Sequence, residues 1–497
     1  MLSQRVVRFA TRLALPILGV LILAFLLFPG GGAPAVGLAA QQSEVAVAGF
    51  TEISLFSSSE LSHTVLLPLV LQAYTAPPEP SMFGIQMYGS LTETANAMSL
   101  ARGAHVYWVR WPISWRQVEP LNVTPDAYYW SSADANVRNA LDSGHQLILT
   151  VNAMPDWAAL YLQGPIYPEQ IPDFVEFIGE LVERYDGDGY RDAPGSPVVE
   201  YFELFNEPDS SNVDGAESGY HSYWGPYGDR YAAMLCAIYP AVKTSNPQAS
   251  VVLGGLAYDN FITDGGSFNP EFLDDVLAAG GGDCFDVMNF HYYPAYESLW
   301  YPYGNGLAGK AAFLADKLAY YGYTDRRTVV TEAGWRSNQY EENDKPGTPD
   351  IQSSYVVQLF TQAAASRIEV LTWWSWIDIG WPHGDLGLIT TEHEPKVSLT
   401  AYRVAAEKIG PALFQAIVPT ESGLENYRFL GRKGLPLYVM WPNDGQTHVV
   451  SLPISQAVVT DMYGTILAYL YDSSDGKVDG HVSIRVDEFP VYVEAMP

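Results

Sequence analysis

The sequence predicts an α/β fold, a (β/α)8 TIM barrel with a small C-terminal antiparallel β-domain. Three observations predict it. Between residues 83 and 376, eight short β-rich runs alternate with longer helix-like stretches. No Gly-rich phosphate turn follows the first run, which disfavours a doubly wound open sheet. Past residue 410 the helical stretches stop, and short alternating runs separated by turn residues take over.

The candidate strands are, in order, Phe83–Tyr88, His105–Arg110, Gln146–Asn152, Val199–Phe205, Val251–Gly255, Val287–His291, Thr328–Thr331 and Val370–Trp376. Helical patterns such as Ile171–Tyr185 and Asp229–Ser245 lie between them. Eight strand–helix units in series are the signature of a closed barrel. The trailing runs are Leu437–Trp441, His448–Leu452, Val458–Asp461, His481–Val486 and Pro490–Glu494, with turns such as Pro442-Asn443-Asp444-Gly445 between them. Residues 81–409 are therefore read as the barrel and 410–497 as a β-sandwich-like domain packed on it.

The N-terminal region is read as lying outside the fold. Arg5, Arg8 and Arg12 precede an apolar run from Leu13 to Phe28, followed by small residues ending Gly37-Leu38-Ala39-Ala40. The run is short for a spanning helix and suits a signal peptide, although Leu38 fits poorly three places before a cut at Ala40. Residues 1–40 are thus a signal peptide or an uncleaved N-terminal membrane anchor. Either way the chain is expected to be secreted or extracytoplasmic, tethered to a membrane in the second case. Residues 41–80, with Ser57-Ser58-Ser59 and Pro77-Pro78-Glu79-Pro80, read as a linker. The apolar piece Val65–Leu71, interrupted by Pro68, has no assigned role.

The bulk numbers narrow the function. A chain of 497 residues suits one large domain plus a small one. With 56 acidic against 26 basic residues the net charge is −30, which repels phosphate backbones and excludes nucleic acid as a partner. Aromatics make up 13% of the chain, and their faces stack on sugar rings as readily as they fill large cores. No CxxC pair or Cys/His cluster points to zinc, and no metal or cofactor is expected. Cys236 and Cys284 read as two buried free thiols, with a single disulfide as the alternative outside the cytosol. Asp186-Gly187-Asp188-Gly189 lacks the twelfth-position Glu of a calcium loop and reads as an acidic turn.

In barrel enzymes the chemistry sits where strands end and loops begin. Strand four ends Glu203-Leu204-Phe205-Asn206-Glu207-Pro208 and strand seven ends Val329-Val330-Thr331-Glu332-Ala333-Gly334-Trp335. Each puts one Glu at the barrel mouth. A lone Glu at a strand end is ordinarily a surface carboxylate. A pair facing each other across a sugar is what glycosidic-bond cleavage needs, one protonated to assist the leaving oxygen and one ionised to attack the anomeric carbon. Glu207 is expected to rest protonated as acid/base, Glu332 to be the nucleophile, and their carboxyl groups to lie roughly 5–5.5 Å apart. Asn206 offers an amide to a sugar 2-hydroxyl.

These residues resemble the clan of retaining (β/α)8 glycoside hydrolases, which includes the cellulase/mannanase and β-xylosidase/α-L-iduronidase families. The resemblance covers residues 82–408. It rests on Asn206-Glu207-Pro208, Glu332, the run from Val109-Arg110-Trp111-Pro112 to Trp115, His291-Tyr292-Tyr293 and Trp373-Trp374-Ser375-Trp376. The closing pieces Gly387-Leu388-Ile389, Glu394-Pro395-Lys396 and Ala401-Tyr402 extend it. It implies double displacement on a β-linked oligo- or polysaccharide. Arg110 would hold Glu332 ionised, or alternatively pair with Glu203 in the core. Tyr293 would donate to Glu332, and His291 would contact the sugar in the first subsite. Trp374 would stack beneath it, with Trp376 on the same strand face or deeper in the core, and Trp157 along the cleft. Asp156, Asp209 and Asp378 lie near the mouth. A transglycosidase and a non-catalytic glycan-binding barrel are the alternatives. A structural surface protein leaves the paired carboxylates unexplained. The particular sugar, exo or endo action and oligomeric state are not legible.

Overall fold

Eight parallel strands close on one another in sequence order in the computed structural model, which describes residues 80–91, 95–339, 346–379, 384–420 and 423–497. They are β1 (Phe83–Gln86), β2 (Trp108–Ser114), β3 (Gln146–Asn152), β4 (Tyr201–Asn206), β5 (Ser250–Gly255), β6 (Val287–Tyr292), β7 (Arg327–Ala333) and β8 (Val370–Trp373). β8 pairs with β1 to shut the ring. A helix follows each strand: α1 (Ala95–Gly103), α2 (Ser131–Asp142), α3 (Ile171–Arg184), α4 (Gly228–Ser245), α5 (Phe272–Ala278), α6 (Gly306–Tyr320), α7 (Pro349–Ala365) and α8 (Val397–Ile409). α3 shows why these stretches are helical. Pro172 starts it, and Phe174, Phe177, Ile178, Leu181 and Val182 recur at helical spacing on its buried face. The expected barrel is the observed one.

The second strand departs from expectation. It begins at Trp108, because His105 turns the chain with φ 62°, and it runs on through Pro112 to Ser114. A proline in a parallel barrel loses a ladder bond unless its edge is free. Here β1 ends at Gln86, opposite Arg110, so Pro112 faces no strand on that side.

The barrel interior is built in two contrasting layers. Ile148, Tyr201, Val252, Val287, Val329 and Val370 form a buried apolar plug, with Trp108 against it. Two residues further along several of the same strands the inward positions are polar: Arg110, Thr150, Glu203, Asn289, Thr331 and Thr372, all buried. The barrel mouth therefore stands on a hydrogen-bonded floor.

After α8 come β9 (Leu413–Ile417), β10 (Leu424–Leu430), β11 (Pro436–Pro442), β12 (His448–Leu452), β13 (Gln456–Asp461), β14 (Ile466–Tyr471), β15 (Val482–Val486) and β16 (Val491–Ala495). Six form one antiparallel sheet in the order β14-β13-β16-β11-β10-β9, and β12 pairs with β15. Alternation along β11 assigns the faces. Leu437, Val439 and Trp441 join the apolar cluster of the barrel, while Tyr438 and Met440 join a second cluster with Leu452, Val482 and Ile484 of the small sheet. The six-stranded sheet thus shares a core with the barrel, and the described residues, from 80 to 497, lie in one compact unit.

Cys236 and Cys284 form a disulfide, which corrects the reading of two free thiols. It ties α4 to the turn Gly281–Cys284 that leads into β6. The signal peptide or anchor and nearly all of the linker fall on residues 1–79, outside the described residues. Among the described residues no helix is long and apolar enough to cross a membrane.

Candidate active site

The two glutamates reach the mouth because their strands break regular alternation. Phe205 and Glu207 take positive φ, 69° and 46°. Phe205 consequently turns out to Phe174, Trp224 and Tyr231. Asn206 and Glu207 turn inward. Such backbone costs on the order of 1–3 kcal/mol per residue and persists only where its surroundings enforce it. On β7 the pairing register to β8 shifts between Val330 and Ala333. Thr331 and Glu332, though consecutive, then both face the barrel interior, as a bulge allows.

Arg110 organises the floor. Its Nε donates to Glu203 Oε2 at 2.7 Å and its Nη2 to Glu203 Oε1 at 2.9 Å. Its Nη1 donates to Glu332 Oε1 at 2.5 Å and its Nη2 to Asn206 Oδ1 at 2.7 Å. Gln86 Oε1 and Thr150 Oγ1 accept too, each at 3.0 Å. Burial alone would favour a neutral guanidine, but the Glu203 and Glu332 carboxylates hold Arg110 charged. Glu203 also accepts from Thr150 at 2.5 Å, Asn289 at 2.8 Å and Thr331 at 2.9 Å. Its own burial opposes ionisation, yet Arg110 and these donors hold its carboxyl below the usual range.

Glu332 is 6% exposed, and its second oxygen accepts from the Tyr293 hydroxyl at 2.8 Å. Burial, with the Glu332 charge behind it, keeps that phenol protonated and so a donor. Glu207 is 7% exposed. Its Oε1 accepts from His291 Nδ1 at 2.9 Å and its Oε2 meets Nδ1 of His221 in a short contact. Burial would raise the Glu207 carboxyl. The charge and hydrogen bond of His221, aided by His291, outweigh burial and hold it well below the carboxylate range. His221 shifts upward in turn, the Glu207 carboxylate overcoming its burial. Both shifts favour a carboxylate on Glu207 and a proton on His221, whereas the sequence reading expects the proton on Glu207.

One ligand atom each of Glu207, His291 and Glu332 lie within 4.8 Å of one another. A cation could sit in such a triangle. However, Arg110 and Tyr293 already take up both Glu332 oxygens, and two imidazoles take up those of Glu207. A cavity of about 680 Å³ opens above the pair, within the range of small-ligand sites.

The sequence model of the cellulase family (glycosyl hydrolase family 5) matches residues 72–379, more than half of the chain. The chain belongs to glycosyl hydrolase family 5. Three solved structures share the fold. A family 39 glycoside hydrolase from the gut symbiont Bacteroides cellulosilyticus WH2 is 18% identical, with TM-score 0.64, over 84% of this chain and 81% of that one. A family 30 endoxylanase from Clostridium papyrosolvens C71 is 12% identical, with TM-score 0.56, over 84% and 97%. A family 39 β-xylosidase from Caulobacter crescentus is 15% identical, with TM-score 0.55, over 86% and 98%. Comparison of the sequence with curated proteins finds no match. The protein is thus a glycoside hydrolase of the retaining (β/α)8 clan, as the sequence motifs implied.

In this hydrolase Glu207, Glu332, Arg110, Asn206, Tyr293 and Trp374 all line the one cavity. Trp374 donates its Nε1 to the Tyr88 hydroxyl at 2.7 Å and stands edge-on to Tyr293. Arg110 contacts both of the partners named for it, Glu332 and Glu203. Three expectations need correction. His291 is fully buried behind Glu207 and has no face on the cavity. Trp376 lies in the core, because β8 ends at Trp373 and strand alternation does not carry on to it. Trp157 packs against Trp115 at 5.0 Å, since β3 ends at Asn152 and Ala153, with φ 51°, turns the chain aside. Asn152 lines the cavity in its place. Asp156 pairs with Arg116, Asp378 with Lys396, and Asp209 caps the backbone of Ala257 and Tyr258, so none of the three reaches the cavity. In the acidic segment Asp186 and Asp188 accept from the backbone N–H groups of Asp188 and Tyr190, and their carboxylates cluster with that of Asp192.

His221 had no signal in the sequence. It follows the short helix Val213–Ser218 in the β4–α4 loop, where no periodicity or strand end marks it. Asp259 and Phe268 join the lining from the loop after β5 in the same way, and Tyr88 does so from the end of the run read as strand one.

Proposed function

We propose that this hydrolase cleaves β-linked oligo- or polysaccharides with retention, Glu332 attacking the anomeric carbon and Glu207 acting as acid and then base. The close approach of the two carboxylates, with atoms within 4.8 Å, carries the reading. Direct attack needs carboxyl groups about 5–5.5 Å apart, whereas an intervening water needs about 6.5–9.5 Å. Arg110 and Tyr293 each donate to one oxygen of Glu332 and so orient the attacking carboxylate. The Arg110 contact turns the Asn206 amide so that its carbonyl is bound and its NH2 group is left for Tyr220 and a sugar hydroxyl. Trp374 offers a ring face at the cavity wall.

An endoxylanase and a β-xylosidase among the structural neighbours make β-xylosides the first substrates to try. The chemistry falls to the barrel, residues 81–409, and the β-domain from 410 supports it. Export fits both the Arg-led apolar run Leu13–Phe28 and the Cys236–Cys284 disulfide.

The test follows the anomer of the first-formed product by proton NMR on an aryl β-glycoside panel. Retention is expected. Glu332→Ala should stop turnover, and azide should then return a glycosyl azide of inverted configuration. An inverted first product, or an Ala variant with near-normal rates, defeats the assignment.

A further inference from the structure

The β4–α4 loop sends one side chain to Glu207. We propose that His221 is the positioning residue that stores the acid's proton in the resting hydrolase and returns it to Glu207 once substrate fills the cavity. This rests on the reading of Glu207 as acid/base. The ring is held on three sides. Its Nδ1 contacts Glu207 Oε2. Phe268, from the loop after β5, meets it edge-on at 5.3 Å and 81°. Gly215 lies beneath it, where a Cβ would come within 2.6 Å of its Cδ2. The imidazole also lines the cavity, so a bound sugar changes its surroundings.

The other charged groups set the balance. Asp209 and Glu332 reinforce the positive charge on His221. His291 faces the opposite oxygen of Glu207, and Asp259, paired with buried Lys310, lies at the cavity wall. While water fills the cavity, the imidazolium–carboxylate form is solvated and stable. A sugar that displaces this water removes that solvation, and the neutral imidazole–carboxylic acid form gains. The Nδ1–H bond then breaks and Oε2–H forms. In the first half-reaction Oε2–H breaks as the proton joins the departing oxygen. The bond from that oxygen to the anomeric carbon breaks while a Glu332 oxygen bonds to the same carbon. Glu207 is left a carboxylate and His221 neutral. In the second half-reaction Glu207 takes a proton from water as the water oxygen displaces Glu332, and that proton passes back to His221.

His221→Asn removes the stored charge but keeps a hydrogen-bonding side chain. The decisive readout is kcat against pH with a dinitrophenyl β-glycoside, where the second half-reaction needs Glu207 ionised. Without the cation, burial raises the Glu207 carboxyl, so the acidic limb should move up by about one pH unit or more. A profile lowered in amplitude but unmoved in pH would show a merely structural role and overturn the proposal. If the variant folds poorly, 15N shifts of the His221 ring in wild type and Glu207→Gln decide. The wild-type ring should stay doubly protonated to higher pH, and identical titrations overturn the proposal. Glu207→Ala run alongside separates the two levels. If it keeps wild-type leaving-group dependence, the parent reading has failed. If only the His221 readouts stay flat, this inference alone has failed.

Discussion

A Cβ on Gly255 would stand 2.1 Å from His291 Nε2, so the end of β5 and the imidazole compete for one volume. Only glycine leaves His291 room to reach Glu207 Oε1. Gly255→Ala should push the ring off that oxygen. Overpacking of this kind costs about 1–3 kcal/mol of stability. Loss of a hydrogen bond to a charged group, about 1.5–3 kcal/mol, should lower kcat/KM by tenfold or more. Thermal melts and steady-state kinetics check both, and unchanged kinetics would mean that His291 does not support Glu207.

Glu207→Ala should hurt poor leaving groups far more than good ones, because a general acid matters most when the departing oxygen is basic. With a dinitrophenyl glycoside the pre-steady-state burst should persist while steady turnover slows. Equal loss across all leaving groups would remove the acid role.

Stability should peak in mild acid and decline toward neutrality. Burial, only partly offset by backbone N–H donors, pushes Asp209 up to about 7, and burial likewise takes Glu119 to about 7. A carboxyl raised on folding stabilises fully below its ordinary value, and that contribution is lost as pH climbs to the folded value. Glu203 and Glu207 are shifted down, so their contribution is present above about pH 4.5 and fades in stronger acid. Melting temperature should therefore fall between about pH 5 and pH 7. Asp209→Asn should flatten the fall, and an unchanged slope in that variant would discount Asp209 as its source.

Cys236→Ser should cost about 2–4 kcal/mol, the usual worth of a bond closing a loop of this length, here with a separation of 48 residues. Equilibrium unfolding with and without reductant measures it. Reduced wild type should match the variant, and equal stability with and without reductant would show the bond to be idle.

The barrel was legible because its strands are short β-rich runs, and Gln146–Asn152 is found with the bounds read from sequence. The glutamates were legible because each follows such a run. Alternation failed wherever the chain left a strand, which is why Trp376 and Trp157 were misplaced. It failed again at Phe205, whose positive φ no residue pattern announces. In the β-domain, β9, β10 and β14 went unread. β9 and β14 are edge strands with largely exposed residues, and β10 carries Glu425 and Asn426 in its interior, so none shows a clean apolar pattern. His221 and the disulfide depend on contacts between distant segments, on which local sequence is silent.

The sharing of Arg110 between Glu203 and Glu332 has an electrostatic consequence. One guanidinium set against one carboxylate would cancel it and blunt an attacking oxygen. Set against two, it leaves a formal surplus of one negative charge in a buried floor at the base of the cavity. Glycoside cleavage builds positive charge at the anomeric carbon and its ring oxygen. The floor is thus a counterion prepared in advance for a cation that exists only at the summit of the reaction, and it needs no solvent rearrangement when that moment arrives.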